Sequence, residues 1–493
     1  MRRPPTFLLL LFLLLWLPVS TRAGGESPAP FSEPAAVLLN LSERDLNRIV
    51  VDSFRKNGGP EFHGEKARVS SSVADLRYRA SLTDPVVRLG DDGTAHLSLS
   101  ILDANVRIGR LERRVGPREA TCEEAGIDVD PQHPLDVGLA LDLGIENGGL
   151  KIRPTSVEIP EAEERLQLVK PARCTNALLP RWFLWWVGKP FLRRSLGDLD
   201  EMVLKRARKS AARLEAKQGD VLKRGVGAEL HLVPEAIDTS GGSLLVGLSA
   251  SAEAPGAAPP RGELPARSSL PHDSFVGVSE PLVNEVARRV LARRPGSRRV
   301  SPPNVRKLLA SDAVYALIPG LRGIGSKENV YFEVSYPTAP RFEFREQDHQ
   351  AVIRVLLSDV AIQIRRGEGE RSKVLGTLRV DAARMAVTPV ASLLGGISFR
   401  LVENQWRVSS SGLQFNDDLV AATLQEITFG KIFATTYEPL LTKAMRLGET
   451  QFLPRSFAVI DRYLVIGLGE PPPRELARSA SAARRTDSLH GSR

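Results

Sequence analysis

From Leu192 onward, Leu192, Leu196, Leu199, Val203, Ala207, Ala211 and Leu214 recur at steps of three or four, while Arg193, Arg194, Lys205, Arg206, Arg208, Lys209 and Arg213 fill much of the remainder. The spacing predicts one apolar stripe along a basic helix over 190–218. At ~1.5 Å per residue that helix is roughly 40 Å long, too long for one compact core, so its stripe must lie along something extended. The segments on either side read as strands and supply it.

With 493 residues the chain has room for several domains, and 42% apolar with 25% charged residues excludes wholesale disorder. The charge is basic, +9 formally and dominated by arginine, which points to anionic partners, either nucleic acid or an anionic lipid surface. Arg2 and Arg3 precede an apolar run from Phe7 to Leu17, then Pro18 and Thr21-Arg22-Ala23. This is the pattern of an export signal, 1–23, with removal expected after Ala23. The mature chain is expected to be secreted, or periplasmic in a bacterium. Two cysteines, Cys122 and Cys174, then invite one disulfide, worth ~4 kcal/mol for a loop of that length in the chain-entropy account. Asn40-Leu41-Ser42 is a lone glycosylation sequon.

Along the chain, Ser42 reads as a helix N-cap with Asp45 three residues on, and Leu46, Ile49, Val50 and Phe54 form one face before Asn57-Gly58-Gly59-Pro60 stops the helix. A strand meander follows. Leu97, Leu99 and Ile101 alternate, then the phase slips by one to Leu102, Ala104, Val106 and Ile108, as a β-bulge requires. Leu135, Val137, Leu139, Leu141, Leu143 and Ile145 give the cleanest alternation, one dry face and one polar face. After the long helix come two strands near 227–233 and 244–250, then a Pro/Ala/Gly-rich linker. The programme restarts beyond it: a short strand, a helix opened by Ser279-Glu280-Pro281, strands from 330 to 415, a second helical stretch over 418–447 and a closing strand over 457–468. The expected division is 36–251, linker 252–272, 273–469, and a disordered tail 470–493.

Several segments carry a resemblance. Asp103-Ala104-Asn105-Val106-Arg107-Ile108 followed by Arg110, Arg113, Arg114 and Arg118, the linker running into Asp273-Ser274-Phe275-Val276-Gly277-Val278-Ser279-Glu280-Pro281-Leu282-Val283-Asn284, and Phe452-Leu453-Pro454 with Ile466-Gly467-Leu468 resemble the family of bactericidal/permeability-increasing protein, lipopolysaccharide-binding protein and plasma lipid-transfer proteins. The resemblance spans nearly the whole mature chain in order and spacing. It implies an α+β boomerang: two pseudo-symmetric barrels, each a twisted antiparallel sheet wrapped round a long helix, joined by a central sheet. It also implies an apolar pocket for acyl chains in each barrel. Cys174 departs from the family pattern by lying before the long helix rather than within it, so the bridge is expected to staple a tip loop holding Cys122.

On this reading Leu46, Ile49, Leu192, Leu196, Leu199 and Val203 line the first pocket, and Leu419, Leu424, Ile427 and Ile432 the second. Burying each methylene gains ~0.8 kcal/mol, so acyl chains bind without polar recognition. Arg110, Arg113, Arg114 and Arg118 are the candidate contacts for an anionic headgroup; Trp182, Phe183, Trp185 and Trp186 read either as a plug at the helix start packed on the sheet or as contacts for a membrane interface. The seven histidines show no metal spacing, and no nucleophile elbow or phosphate loop occurs. The expectation is therefore a lipid-binding or lipid-transfer protein for phospholipid-like or lipopolysaccharide-like amphiphiles, with transient membrane contact, no nucleic acid, no cofactor, no metal and no covalent chemistry. An exported hydrolase acting on lipids is the alternative.

Overall fold

A computed structural model describes residues 31–56, 59–70, 73–115, 118–129, 132–146, 148–161, 165–169, 173–175, 201, 203–205, 207–209, 211–212, 230–252, 264–292, 297–300, 312–324, 330–335, 338–367, 372–391, 397–427, 446–447 and 450–470. Over these residues the protein is mostly antiparallel β-sheet with few helices.

The chain begins with β1 (Ser32–Ser42) and α1 (Glu43–Lys56), then β2 (Glu61–Ser70), β3 (Val73–Leu82), β4 (Val86–Leu89), β5 (Thr94–Val115), β6 (Arg118–Val129), β7 (Leu135–Glu146), β8 (Gly149–Glu158), β9 (Leu166–Val169) and β10 (Arg173–Thr175). Residues 201, 203–205, 207–209 and 211–212 are helical and are labelled α2, followed by β11 (His231–Asp238) and β12 (Ser243–Ser251). The second half runs β13 (Phe275–Ser279), α3 (Glu280–Ala292), β14 (Ser297–Val300), α4 (Asp312–Leu317), β15 (Val330–Ser335), β16 (Arg341–Gln347), β17 (Gln350–Arg366), β18 (Lys373–Ala391), β19 (Ile397–Ser411) and α5 (Asp417–Ile427). It closes with β20 (Arg446–Leu447), β21 (Thr450–Gln451), β22 (Leu453–Ile460) and β23 (Tyr463–Gly469).

Strands β2–β10 form a nine-stranded sheet and β14–β19 a six-stranded one. Between them a central sheet has the order β11-β12-β1-β13-β23-β22. That order reads the same from either end if β1 is matched with β13, β12 with β23 and β11 with β22, so a pseudo-two-fold axis passes between β1 and β13. The two central strands pair antiparallel, Leu38 opposite Gly277 and Asn40 opposite Phe275. A Cβ on Gly277 would sit 3.2 Å from the Leu38 side chain, so glycine keeps this seam close.

Each half uses its first helix on the other half. Ile49 of α1 packs with Phe452 and Leu468, and the Arg48 guanidinium lies 4.5 Å from the Phe452 ring centre. Leu282 and Val286 of α3 pack on Ala36, Leu230 and Ala250. Leu264 and Leu270, from the end of the linker, pack with Leu38, Leu245, Phe275 and Val465.

The two helices also bind sheet edges by one device. Asn47 accepts from Val87 N at 2.5 Å and donates to Val87 O at 2.9 Å, and Glu43 accepts from Leu89 N at 3.1 Å. In the second half Asn284 accepts from Phe342 N at 2.7 Å and donates to Phe342 O at 2.9 Å, while Glu280 accepts from Phe344 N at 2.8 Å. Ser42 and Ser279 cap the two helices by accepting from Asp45 N and Leu282 N, each at 3.3 Å. The side chains thus satisfy backbone groups of β4 and β16 that would otherwise be open edges.

Several expectations change. β1 was not expected as a strand. It carries a bulge between Glu33 and Val37, where Ala35 has φ 46° and its backbone is held by Glu235 Oε2 and the Tyr463 hydroxyl. The sequon fails sterically: Asn40 is fully buried and its Nδ2 donates to Asp273 O at 2.8 Å, leaving no room for a glycan. The closing strand is a hairpin, β22–β23, turning at Asp461 with φ 52°. The last of the strands expected over 330–415 is one long strand, β19, with a bulge at Val402. The second helical stretch is helical over 417–427, but 446–447 is extended and paired with 450–451; 428–445 lies outside the described residues. The basic stretch is a strand hairpin, with Arg110, Arg113 and Arg114 on β5 and Arg118 on β6. Cys122 likewise sits on β6, not in a loop, opposite Cys174 on β10.

Candidate functional site

The bulge read from the phase slip is present. Ser81 pairs with Asp103 but Leu82 with Ile101, which leaves Leu102 as the extra residue on β5. On one side of it β5 pairs with β4 and β7, on the other with β3 and β6. Because the strand changes partners where it changes phase, its apolar residues stay on one face: Leu97, Leu99 and Ile101 before the bulge, Ala104, Val106 and Ile108 after it.

The register extends this face sideways. Leu139 lies opposite Leu97 and Val157, Leu141 opposite Ala95, and Leu143 opposite Ile152. Beyond the bulge Tyr78 lies opposite Val106 and Gly64, and Phe62 opposite Ala80. A Cβ at Gly64 would fall 2.4 Å from the Tyr78 hydroxyl, so glycine there lets the ring lie across the strand. Phe62 and Tyr78 were missed from sequence, although Leu76, Tyr78, Ala80 and Leu82 alternate with Arg77, Arg79 and Ser81 as plainly as β7 does.

This face is open. Val87, Ala95, Val129 and Leu135 are buried, but Leu97, Leu99, Val137, Leu139, Leu141, Leu143 and Ile145 are only half-buried, and Phe62 and Tyr78 remain 38% and 37% exposed. Helix α2 meets the sheet at β8, where Arg208 Nε donates to Pro154 O at 3.5 Å. Its stripe has the predicted phase: Ala211 is buried, Val203 and Ala207 half-buried, and Lys205, Arg208 and Lys209 exposed. Leu46 and Ile49 on α1 are half-buried, whereas Leu192, Leu196 and Leu199 lie outside the described residues, as do Trp182, Phe183, Trp185 and Trp186.

At the far end of the apolar face the residue after Ile108 in the alternation is Arg110, exposed and opposite Glu123. The other side of the sheet is polar, with Arg107 Nη2 donating to Asp128 at 2.8 Å. Arg113 and Arg114 pair with Ala120 and Glu119, and Arg118 with Val115.

The corresponding face in the second half is closed. Phe332, Val334, Ile362, Ile364, Leu378 and Val380 form one dry cluster with Val314 and Leu317 of α4 and Val420 and Leu424 of α5. Leu424 is therefore sealed inside, while Leu419 is 39% exposed. The side chain of Ile427 and the whole of Ile432 lie outside what is described. Among the described residues no group of three or more His, Cys, Asp or Glu is placed to hold a metal, and no helix is long and apolar enough to cross a membrane.

No protein-family profile matches this chain, and no curated protein matches it. Among solved structures it is similar to a crystal structure of lipopolysaccharide binding protein, at 13% identity over 88% of this chain and 98% of that one, with a TM-score of 0.41. It is also similar to P47 from Clostridium botulinum A2, at 10% identity over 88% and 97% and a TM-score of 0.28, and to P47 of Clostridium botulinum E1, at 8% identity over 89% and 100% and a TM-score of 0.28.

Proposed function

We propose that the apolar face of the nine-stranded sheet, with α2 laid beside it, binds the acyl chains of a phospholipid-like or lipopolysaccharide-like amphiphile, and that the protein sequesters or transfers such lipids without covalent chemistry. One observation carries this: a continuous row of Leu, Ile and Val across β5, β7 and β8 that the described residues leave half-covered. A monomer that exposes such a face to water forgoes the burial that stabilises it, whereas a flexible hydrocarbon chain fits an irregular apolar slot. Arg110, at the end of the face, is suited to an anionic headgroup, with Arg113, Arg114 and Arg118 nearby in sequence.

On this reading the sheet curls round the long helix as one arm of a boomerang, and the chain is exported by its N-terminal signal. Export fits Cys122 and Cys174, which lie opposite each other on antiparallel strands, the spacing a cross-strand disulfide needs.

Native mass spectrometry of protein purified from exporting cells tests the reading. An adduct that extracts into organic solvent and is lost in Leu139→Arg supports it. An empty protein, or one that hydrolyses a lipid ester, contradicts it.

A further inference from the structure

The outer face of the six-stranded sheet, turned away from its closed core, is rich in arginine. Register places Arg341, Leu356, Arg384 and Gln405 in one row across β16–β19, and Glu343, Arg354, Ala386 and Glu403 in the next. Arg345 lies opposite Val352, and Arg400 opposite Thr388, one row further on. These positions alternate with Phe342, Phe344 and Ile353, which pack inward.

The charges on this face are unevenly matched. Glu343 is shared by Arg341, Arg345 and Arg354 at 3.6, 3.7 and 3.8 Å, and Glu403 by Arg354 and Arg384 at 3.8 and 3.9 Å. All five distances exceed hydrogen-bond range. Other ion pairs of the molecule close within hydrogen-bond range, Arg365–Glu333 at 2.7 Å and Arg288–Glu285 at 2.6 Å among them. Arg400 donates to the neutral Gln350 amide oxygen, and the buried Nε of Arg354 has no hydrogen-bond partner among the described residues. The two carboxylates are 14% and 24% exposed, whereas Arg341, Arg345 and Arg384 are 69%, 63% and 55% exposed. The negative groups lie beneath and the guanidinium groups stand outward, so the surface offers clustered donors to an anion-bearing plane.

Val390 and Val402 distinguish a bilayer from a soluble polyanion. They are 43% and 46% exposed, Val390 one row beyond Arg400 and Val402 at the bulge between Leu401 and Glu403. Apolar side chains bordering a basic face suit an interface of headgroups and acyl chains. We propose that this face docks the protein on an anionic lipid bilayer, with Arg341, Arg345, Arg384 and Arg400 taking headgroup phosphate oxygens and Val390 and Val402 entering the interface. Docking here is separate from acyl-chain binding in the first half and does not rest on it.

The test is sedimentation of the full chain with vesicles of phosphatidylcholine alone or mixed with phosphatidylglycerol. Binding should require phosphatidylglycerol and fall as salt is raised. Replacing all four arginines by glutamine (R341Q, R345Q, R384Q and R400Q) should weaken it by roughly fivefold per arginine, with the unfolding midpoint unchanged. Val390→Ser with Val402→Ser should weaken vesicle binding while leaving binding to inorganic polyphosphate as it was. Vesicle binding that survives loss of all four arginines overturns the proposal. So does equal binding to neutral vesicles, or polyphosphate binding without vesicle binding. The glutamine variant should retain any co-purified lipid, so failure of docking and failure of the acyl-chain reading give different results.

Discussion

The two halves hang from one central sheet by the same Ser-Glu-Asn device, yet they treat their apolar faces in opposite ways. In the second half α4 and α5 close over β15, β17 and β18, and Phe332 and Ile364 are each 1% exposed. In the first half the row Val137, Leu139, Leu141, Leu143 and Ile145 is only half-buried. A shared scaffold therefore fixes where the two sheets sit and leaves open what fills them. A filled face contributes stability, and an open one is available to a ligand.

The largest effect that sharpens this contrast is expected at Phe332. Phe332→Ala should cost about 3–5 kcal/mol in denaturant unfolding, because the cavity lies in a sealed cluster. Next is the Glu285–Arg289 pair on α3, at 2.5 Å with both side chains buried. Burial pushes the Glu285 carboxyl up, but hydrogen bonds from Arg288 and Arg289 outweigh it and hold it below the usual range. A depressed folded pKa contributes stability above the unfolded value and loses it as pH falls through the folded one. Glu285→Gln should thus cost about 3 kcal/mol at neutral pH, and the gap to wild type should shrink in acid.

The edge device sets the scale on which the halves are equal. Asn47→Ala and Asn284→Ala should each cost about 1–3 kcal/mol, since each leaves a backbone donor and acceptor of an edge strand without its partner. A large inequality would show that the two ends do not share a scaffold. The smallest effect is expected at Leu141→Ala, about 1 kcal/mol for a half-buried side chain. A loss as large as that of Phe332→Ala would mean that the first face is as closed as the second.

Much of the first sheet was legible because its face is one-sided. The alternation of β7 and the slip at Leu102 follow directly from side chains that point alternately in and out. β1 was not legible, since Pro34 and the bulge at Ala35 break its alternation and Leu38-Leu39-Asn40-Leu41 is covered on both sides, which erases the period. The repeated device was visible as Ser42-Glu43 with Asn47 and Ser279-Glu280 with Asn284, but its meaning depends on which strands the helices meet. The arginine face was hidden for another reason: its residues come from four strands, and only register brings them together.

The central claim is tested most directly by photolabelling with a fatty acid that carries a diazirine on its tail, followed by peptide mapping. The account predicts label on β5, β7 and β8, around Leu97, Leu139 and Val157, and none on β15, β17 or β18. Label concentrated on the second sheet, or no label on either, would contradict it.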